Sequence, residues 1–327
     1  MVAYGMTFER PFFLAPLSGY TSWPMRVLCR EQGAELCYTE MISAEGLIRS
    51  SRSSASIIER PGTDRPLVAQ IFTASPHAAA LAARMLEDRG FDGIDINMGC
   101  PVKKVVSKGA GSALMLRPEL ALRLVEAVVR SVGLPVSVKL RAGWDASCVN
   151  APELADAFAR AGIDTVILHP RTRAEMYRGT PRWEVLADLR SRVGIPVAAS
   201  GDIRTRADVA RLANLGVDAF VVGRAAIGNP WIFRQLAGGE PPTQEERKDA
   251  MLRHLDMLCS YHGSRTGVLH MRKFLSSYVR GLEGAAGFRQ AACTLDSPAK
   301  ISSAIGEFFE ALGQRQSFVL PCEGKTG

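Results

Sequence analysis

Three stretches of the chain read alike: GFDGIDIN from Gly90 to Asn97, GIDTVILH from Gly162 to His169, and GVDAFVVG from Gly216 to Gly223. Each sets a glycine, an apolar residue and an aspartate ahead of a run of strand-forming residues. The glycine suits the left-handed position just past a helix, and the run behind it suits a buried strand. A second phrase opens with proline: PLVAQ from Pro66, PVSVK from Pro135 and PVAAS from Pro196. Proline is tolerated where a strand begins, because its missing N–H is not needed by the ladder there. The two phrases interleave, with helical patterns between them at 75–89, 118–131, 151–161, 183–192 and 205–215. Two earlier strands are expected at 12–17 and 36–41. Eight strands alternating with helices over about 235 residues point to an α/β fold, a (β/α)8 TIM barrel. An open, doubly wound sheet is the alternative. The near-regular count of eight and the absence of a GxGxxG turn weigh against it.

A barrel of this kind carries its chemistry at the carboxyl ends of the strands. The proline-led phrases end there in Gln70, Lys139 and Ser200, and the glycine-led phrases in Asn97, His169 and Gly223. Loop-starting polar residues would account for one such ending, but poorly for five that converge. Ser200-Gly201-Asp202 and Gly223-Arg224 follow the seventh and eighth strands, where phosphate-binding barrels hold a phosphate. Glycines there let backbone N–H groups approach the oxygens, and the arginine adds charge. Lys139 points into the mouth, where an ammonium has to be paired or functional. A cation beside a flavin ring and a Schiff base with a carbonyl both remain open for it. Cys100 lies in a Gly/Pro loop past the fourth strand, followed by Lys103, Lys104 and Lys108. A thiol exposed at the rim could serve as proton donor or nucleophile. His169 has no second histidine at ligand spacing, so a phosphate or flavin contact is expected rather than a metal.

After Gly239 the pattern changes. GGEPP reads as a linker or sharp turn, and Thr243 with Glu246 reads as a capping box. Helices are expected at 244–262, 269–282, 287–295 and 300–312. The chain thus divides into a catalytic barrel, 1–240, and a small all-helical module, 241–327. The segment from Arg265 to Arg289 holds Arg265, Arg272, Lys273, Arg280 and Arg289 against one acid, Glu283. A second basic cluster, Arg171, Arg173, Arg178 and Arg182, follows the sixth strand. These sharpen an otherwise weak signal, a net charge of +7, into a case for a polyanionic partner.

With 47% hydrophobic and 22% charged residues the balance is that of a globular protein, which excludes intrinsic disorder. No apolar run is long enough for a membrane helix, and the first sixteen residues lack the apolar core of a signal peptide. Seven scattered cysteines with no Cys-x-x-Cys pair indicate neither zinc nor an iron–sulfur cluster. A reducing, cytoplasmic setting and free thiols are expected.

Several segments together carry a resemblance. They are LAPLSGYTSWPMR from Leu14, DINMGCPVKKVVSKGAGSALM from Asp95, VKLRAGWD from Val138, HPRTRAEMYRG from His169, SGDI from Ser200 and VGRAAIGNPWIF from Val222. With MRKFLSSYVRG from Met271 and the pair Phe288-Arg289, the chain resembles the flavin-dependent tRNA-dihydrouridine synthases, most closely the bacterial B-type branch. That resemblance implies FMN at the barrel mouth, reduced by NADPH or NADH. It places Pro16, Leu17, Ser18, Gln70, Lys139, His169, Ser200, Gly201, Asp202, Gly223 and Arg224 on the flavin. It assigns Cys100 as the acid that protonates C5 of a uracil while hydride goes to C6. It assigns Asn97, Lys103, Arg141, Arg171, Arg173, Arg272, Lys273 and Arg289 to the tRNA, with no metal, no membrane and a monomer expected. Leu17-Ser18 stands in place of a common Met-Ala, Pro170 of a frequent Gly, and Ser200 of a frequent Asn. An FMN barrel reducing a small molecule is the alternative activity.

Overall fold

The computed structural model describes residues 1–317. Eight parallel strands form a closed ring: β1 (Phe12–Leu14), β2 (Leu36–Tyr38), β3 (Leu67–Phe72), β4 (Gly93–Met98), β5 (Val136–Arg141), β6 (Thr165–His169), β7 (Val197–Ser200) and β8 (Ala219–Val222). Each pairs with the next in sequence, and β8 pairs with β1 through Phe220 opposite Phe12. The TIM barrel read from the repeats is therefore the fold. The first two strands are shorter than expected, stopping at Leu14 and Tyr38, because Pro16 and Glu40 begin mouth loops. A further two-residue strand, Ile42–Ser43, pairs with the far end of β3.

The structure gives each word of the repeated phrases a physical task. Gly90, Gly162 and Gly216 all adopt positive φ, as the turn out of each helix requires. Proline precedes β3, β5 and β7, and its carbonyl still serves the ladder: Pro135 accepts from Ile94 at 3.0 Å and Pro196 from Val166 at 3.1 Å. The aspartates lock the amino end of the barrel. Asp92 accepts the Leu67 N–H at 2.7 Å and Asp218 the Val197 N–H at 2.8 Å. Asp164 instead accepts the N–H of Tyr4 at 2.6 Å. Tyr4 belongs to the turn of an N-terminal hairpin, Val2–Ala3 with Met6–Thr7, that the sequence patterns did not announce. Its hydrophobic residues plug the barrel. Ala3, Tyr4 and Phe8 pack with Phe13, Leu36, Tyr38, Val68, Ile167, Ala198 and Val221 in one core cluster. Full burial of side chains of this size contributes about 1.5–3 kcal/mol each.

Two compact units are present. The first is Met1–Ala226 with Ile232–Gly239; the second takes Ile227–Trp231 and the described residues from Glu240 to Ser317. The second unit is helical: Gln244–His262, Ser264–Tyr278, Ala285–Ala292 and Pro298–Ser317. The first of these opens on the expected capping box, Glu246 N–H to Thr243 at 3.1 Å and Thr243 N–H to Glu246 at 2.8 Å. The second helix starts five residues before the expected position. Gly267 does not break it, because a Cβ there would lie 2.6 Å from the Cys259 backbone. The glycine lets two helices pack at close range. Cys322 and the end of the expected tail module lie outside the described residues.

Candidate active site

The mouth is built by the register of four neighbouring strands. Gln70 on β3 lies opposite Asp95 on β4, Asn97 on β4 opposite Lys139 on β5, and Arg141 on β5 opposite His169 on β6. Apolar strands thus end in a ring of polar side chains, and their hydrogen bonds join them. Gln70 Nε2 donates to Asp95 at 2.6 Å, and Asn97 Nδ2 donates to Gln70 Oε1 at 2.8 Å. Asn97 Oδ1 accepts two backbone N–H groups, Gly99 at 3.2 Å and Cys100 at 2.9 Å. The other end of the Cys100 backbone is held too: Ser112 Oγ and Ser112 N–H both donate to its carbonyl, at 2.9 and 3.1 Å.

Cys100 is only 8% exposed, packed with Val105 and Ala110. The sequence led us to expect an open rim thiol; the loop 101–112 folds back and covers it. Burial pushes its pKa up, against the opposing pull of the Val102 N–H and Arg141. The group is thus held as a thiol, which suits a proton donor better than a thiolate nucleophile.

Lys139 Nζ reaches Ser200 Oγ at 3.4 Å, a long bond. Burial lowers its pKa to about 8, with the Asp95 carboxylate pulling the other way. Ser200 therefore contributes its side chain as the partner of the mouth lysine. Asp95 is fully buried, and desolvation raises its pKa to about 7 despite hydrogen bonds from Ser137 and Gln70.

His169 sits under the glycine of the next loop. Gly201 has φ +105°, and a Cβ there would lie 2.6 Å from His169 Cδ2. Arg171 Nη1 lies 3.3 Å from His169 Nε2. A guanidinium only donates, so Nε2 accepts and Nδ1 carries the ring proton. Burial, with Lys139, Arg141, Arg171 and Arg224 around it, keeps the ring neutral. Asp202 gathers arginines: Arg171 at 2.5 Å, Arg224 at 2.9 Å and Arg204 at 3.3 Å. At the first-strand loop, Leu17 N–H donates to Thr21 Oγ1 at 3.0 Å while Tyr20 and Thr21 N–H return to the Leu17 carbonyl. This turn holds Pro16, Leu17 and Ser18 at the mouth, and Ala15 N–H ties it to Val222 on β8 at 2.9 Å.

The arginines expected to meet the substrate fall into two groups. Arg141 and Arg171 are each 2% exposed and act as loop staples. Arg141 donates to the carbonyls of Gly99 at 2.9 Å, Thr172 at 3.0 Å and Met176 at 2.7 Å. Arg171 donates to the carbonyls of Arg178 at 3.1 Å and Gly179 at 2.6 Å besides Asp202. Lys103 is exposed, and Arg173 is half-buried with its guanidinium 4.5 Å over the Trp144 ring. In the helical unit Lys273 is exposed, while Arg289 is half-buried and Arg272 spends its guanidinium on the Leu295 carbonyl. Sequence reasoning missed Tyr177. It is 50% exposed, with Arg224 4.4 Å and Arg141 5.4 Å from its ring centre. It also missed Asp95, whose signal was a carboxylate inside an otherwise apolar strand. Among the described residues no group of three or more His, Cys, Asp or Glu side chains could hold a metal, and no helix is long and apolar enough to cross a membrane.

A closed barrel with a polar carboxyl mouth and a protected thiol defines a barrel enzyme whose reaction face is that mouth. The family model described as dihydrouridine synthase matches residues 13–312. The chain belongs to the dihydrouridine synthase family. It is 38% identical to a tRNA-dihydrouridine synthase B of Xanthomonas campestris over 91% of this chain and 92% of that protein. It is 37% identical to the protein of that name from Pseudomonas aeruginosa, over 93% and 94%. A probable tRNA-dihydrouridine synthase of Rhizobium leguminosarum is 38% identical over 84% and 86%. Among solved structures, a morphinone reductase in complex with tetrahydroNAD shares the barrel at TM-score 0.54 and 15% identity, covering 72% of this chain and 89% of that one. A variant of NCR from Zymomonas mobilis does so at TM-score 0.52 and 16% identity, covering 75% and 92%.

Proposed function

We propose that this chain is an FMN-dependent tRNA-dihydrouridine synthase, drawing electrons from NADPH or NADH and reducing the C5–C6 bond of a uracil in tRNA. The names of its relatives supply the substrate class. The observation that carries the chemistry is the joining, in one mouth, of Asn97, Lys139 and a thiol kept protonated by burial.

The residues present fit a flavin phosphate at the seventh and eighth strand ends. Gly201 and Gly223 bring half-buried backbone without side chains there, with the exposed Arg224 beside them. Lys139 and Gln70 would meet the ring, with His169 and the turn at Pro16, Leu17 and Ser18 completing the cradle. Bound reduced flavin supplies the hydride for C6. The chain's own residues do the rest. Cys100 Sγ–H delivers a proton to C5, and Asn97 holds the Cys100 backbone where that thiol can act. Lys139 would supply the positive charge that an electron-rich reduced ring calls for. Tyr177, half exposed, offers an aromatic ring beside which a base could stack. A uracil within folded tRNA has to leave its stack to enter such a mouth.

We further propose that residues 1–240 form the catalytic barrel and 241–327 an RNA-binding module. Exposed Lys103 on the barrel and Lys273 on the helical unit would contact phosphates, giving a steep salt dependence of binding. The deciding test incubates the purified protein with unmodified tRNA and NADPH and reads dihydrouridine by mass spectrometry of digests. A yellow protein that forms dihydrouridine supports the reading. A yellow protein that reduces an enone or free uracil but leaves tRNA unchanged supports the small-molecule alternative instead.

A further inference from the structure

Asp95 is fully buried, and neither of its carboxylate oxygens is idle. Oδ1 accepts from Ser137 Oγ at 2.6 Å, and Oδ2 accepts from Gln70 Nε2 at 2.6 Å. Above its raised pKa of about 7 Asp95 is ionised, and an ionised carboxylate can only accept. The side-chain amide of Gln70 has two orientations of nearly equal shape, and this contact permits one. The NH2 faces Asp95, so Oε1 faces the other way and receives Asn97 Nδ2 at 2.8 Å. That in turn leaves Asn97 Oδ1 for the Gly99 and Cys100 N–H groups, at 3.2 and 2.9 Å. Reversing either amide would set oxygen against oxygen, or NH2 against backbone N–H. The chain of bonds therefore has a direction, and the direction is set at its acceptor-only end.

We propose that Asp95 is a positioning residue of the reaction: its carboxylate fixes the orientation of the Gln70 and Asn97 amides and, through them, the backbone that carries Cys100. Asp95 itself stays out of reach of any ligand in the mouth. The role rests on the dihydrouridine reading for its consequence in turnover, but the orientation of the amides does not. A rival role is that of a distant counter-charge for Lys139, which would need the charge and not the acceptor.

Two substitutions separate these. Asp95→Asn removes the charge but keeps an acceptor for Gln70, because the Ser137 hydroxyl can turn to accept from the new NH2. Asp95→Val removes the acceptor with a residue at home in a strand. Where the single change fails to fold, Asp95→Val with Ser137→Ala leaves no orphaned hydroxyl. Hydrogen exchange on the ligand-free protein reads the Gly99 and Cys100 amides directly. In the Val variant their exchange is expected to quicken about 10-fold or more, with the other barrel amides unchanged. Dihydrouridine formation falls by about 10-fold or more in kcat, while KM for tRNA stays within about 2-fold. The Asn variant restores both. Unchanged exchange at Gly99 and Cys100 in the Val variant overturns the proposal. So does an Asn variant with normal exchange and lost kcat, which assigns Asp95 to the charge of Lys139. If wild-type protein makes no dihydrouridine at all, the exchange arm still decides the amide orientation, and only the reading of function falls.

Discussion

Asn97 holds Cys100 from within the barrel: its Oδ1 accepts the Cys100 N–H at 2.9 Å, two residues past the end of the ladder it shares with Lys139. The thiol is thereby fixed by a strand residue and not by the loop alone. Cys100→Ala removes the buried Sγ that the Val102 N–H faces, but none of the bonds that Asn97 and Ser112 make to its backbone. Flavin content and thermal midpoint are expected to stay near wild type, since the lost burial costs about 1 kcal/mol. Dihydrouridine formation should fall by about 10²–10⁴-fold, the range for losing a general acid. Single-turnover assays on flavin-loaded protein check this. A fully active variant would remove Cys100 from the reaction.

Gly201 answers to two constraints at once, a φ of +105° and a Cβ position 2.6 Å from His169 Cδ2. Gly201→Ala has to strain the backbone or push the ring aside, and strain of this kind costs about 1–3 kcal/mol. The expected result is lower stability in urea together with loss of bound flavin. Gly194→Ala, where an added Cβ meets nothing within 4 Å among the described residues beyond its chain neighbours and φ is not positive, is the control and should change neither. Full flavin retention in the Gly201 variant would place the cofactor's phosphate end elsewhere.

The barrel was legible because its phrases are local. A glycine at a helix exit, a proline at a strand entry and an apolar run between them each state their own conformation, and six such phrases leave little choice of topology. The rim residues Gln70, Asn97, Lys139 and His169 were legible for the same reason, being the polar ends of apolar runs. The N-terminal hairpin was not, since two-residue strands have no period to read and Tyr4 finds its partners Asp164 and Tyr38 only after closure. The early start of the helix Ser264–Tyr278 was hidden by Gly267, which looks like a breaker until the facing Cys259 backbone is in place. The burial of Cys100 and the stapling roles of Arg141 and Arg171 depend on loops folding back over the mouth. No spacing along the chain encodes that. Arginine in a loop reads the same whether it will grip a phosphate or three backbone carbonyls.

Lys139 sets a pH limit on the proposed reaction. Its pKa is lowered to about 8 by burial, so the cation is present below that value and lost as pH rises through it. Turnover of the flavin-loaded enzyme is expected to fall above about pH 8, tenfold per unit once the group is deprotonated. Lys139→Met keeps the length and removes the charge. It should lower turnover by about 10²-fold, as for other lost charge-stabilising donors, and abolish that limb of the profile. A wild-type profile flat to pH 10 would show that the cation is not required.

His254 sets a separate limit, on stability. It is fully buried in the helical unit, its Nδ1 3.0 Å from the Tyr278 hydroxyl and its ring centre 4.4 Å from that of Phe274. Nε2 has no hydrogen-bond partner among the described residues. Protonation would turn both nitrogens into donors, one of them buried with nothing to receive it, so desolvation lowers the pKa to about 3. An unfolded chain takes the same proton near the ordinary histidine value, about 6.5. Between those two values the unfolded state binds the extra proton, so stability falls as pH drops below about 6.5, by about 1.4 kcal/mol per unit. Urea unfolding of the full chain at about pH 7.5 and pH 5 should therefore differ by about 2 kcal/mol from this residue alone. His254→Phe cannot take up the proton and should lose that much less on acidification. It begins from a lower stability at neutral pH, because Tyr278 loses a hydrogen bond worth about 1 kcal/mol. Equal losses in the two proteins would mean that His254 is free to charge in the folded state.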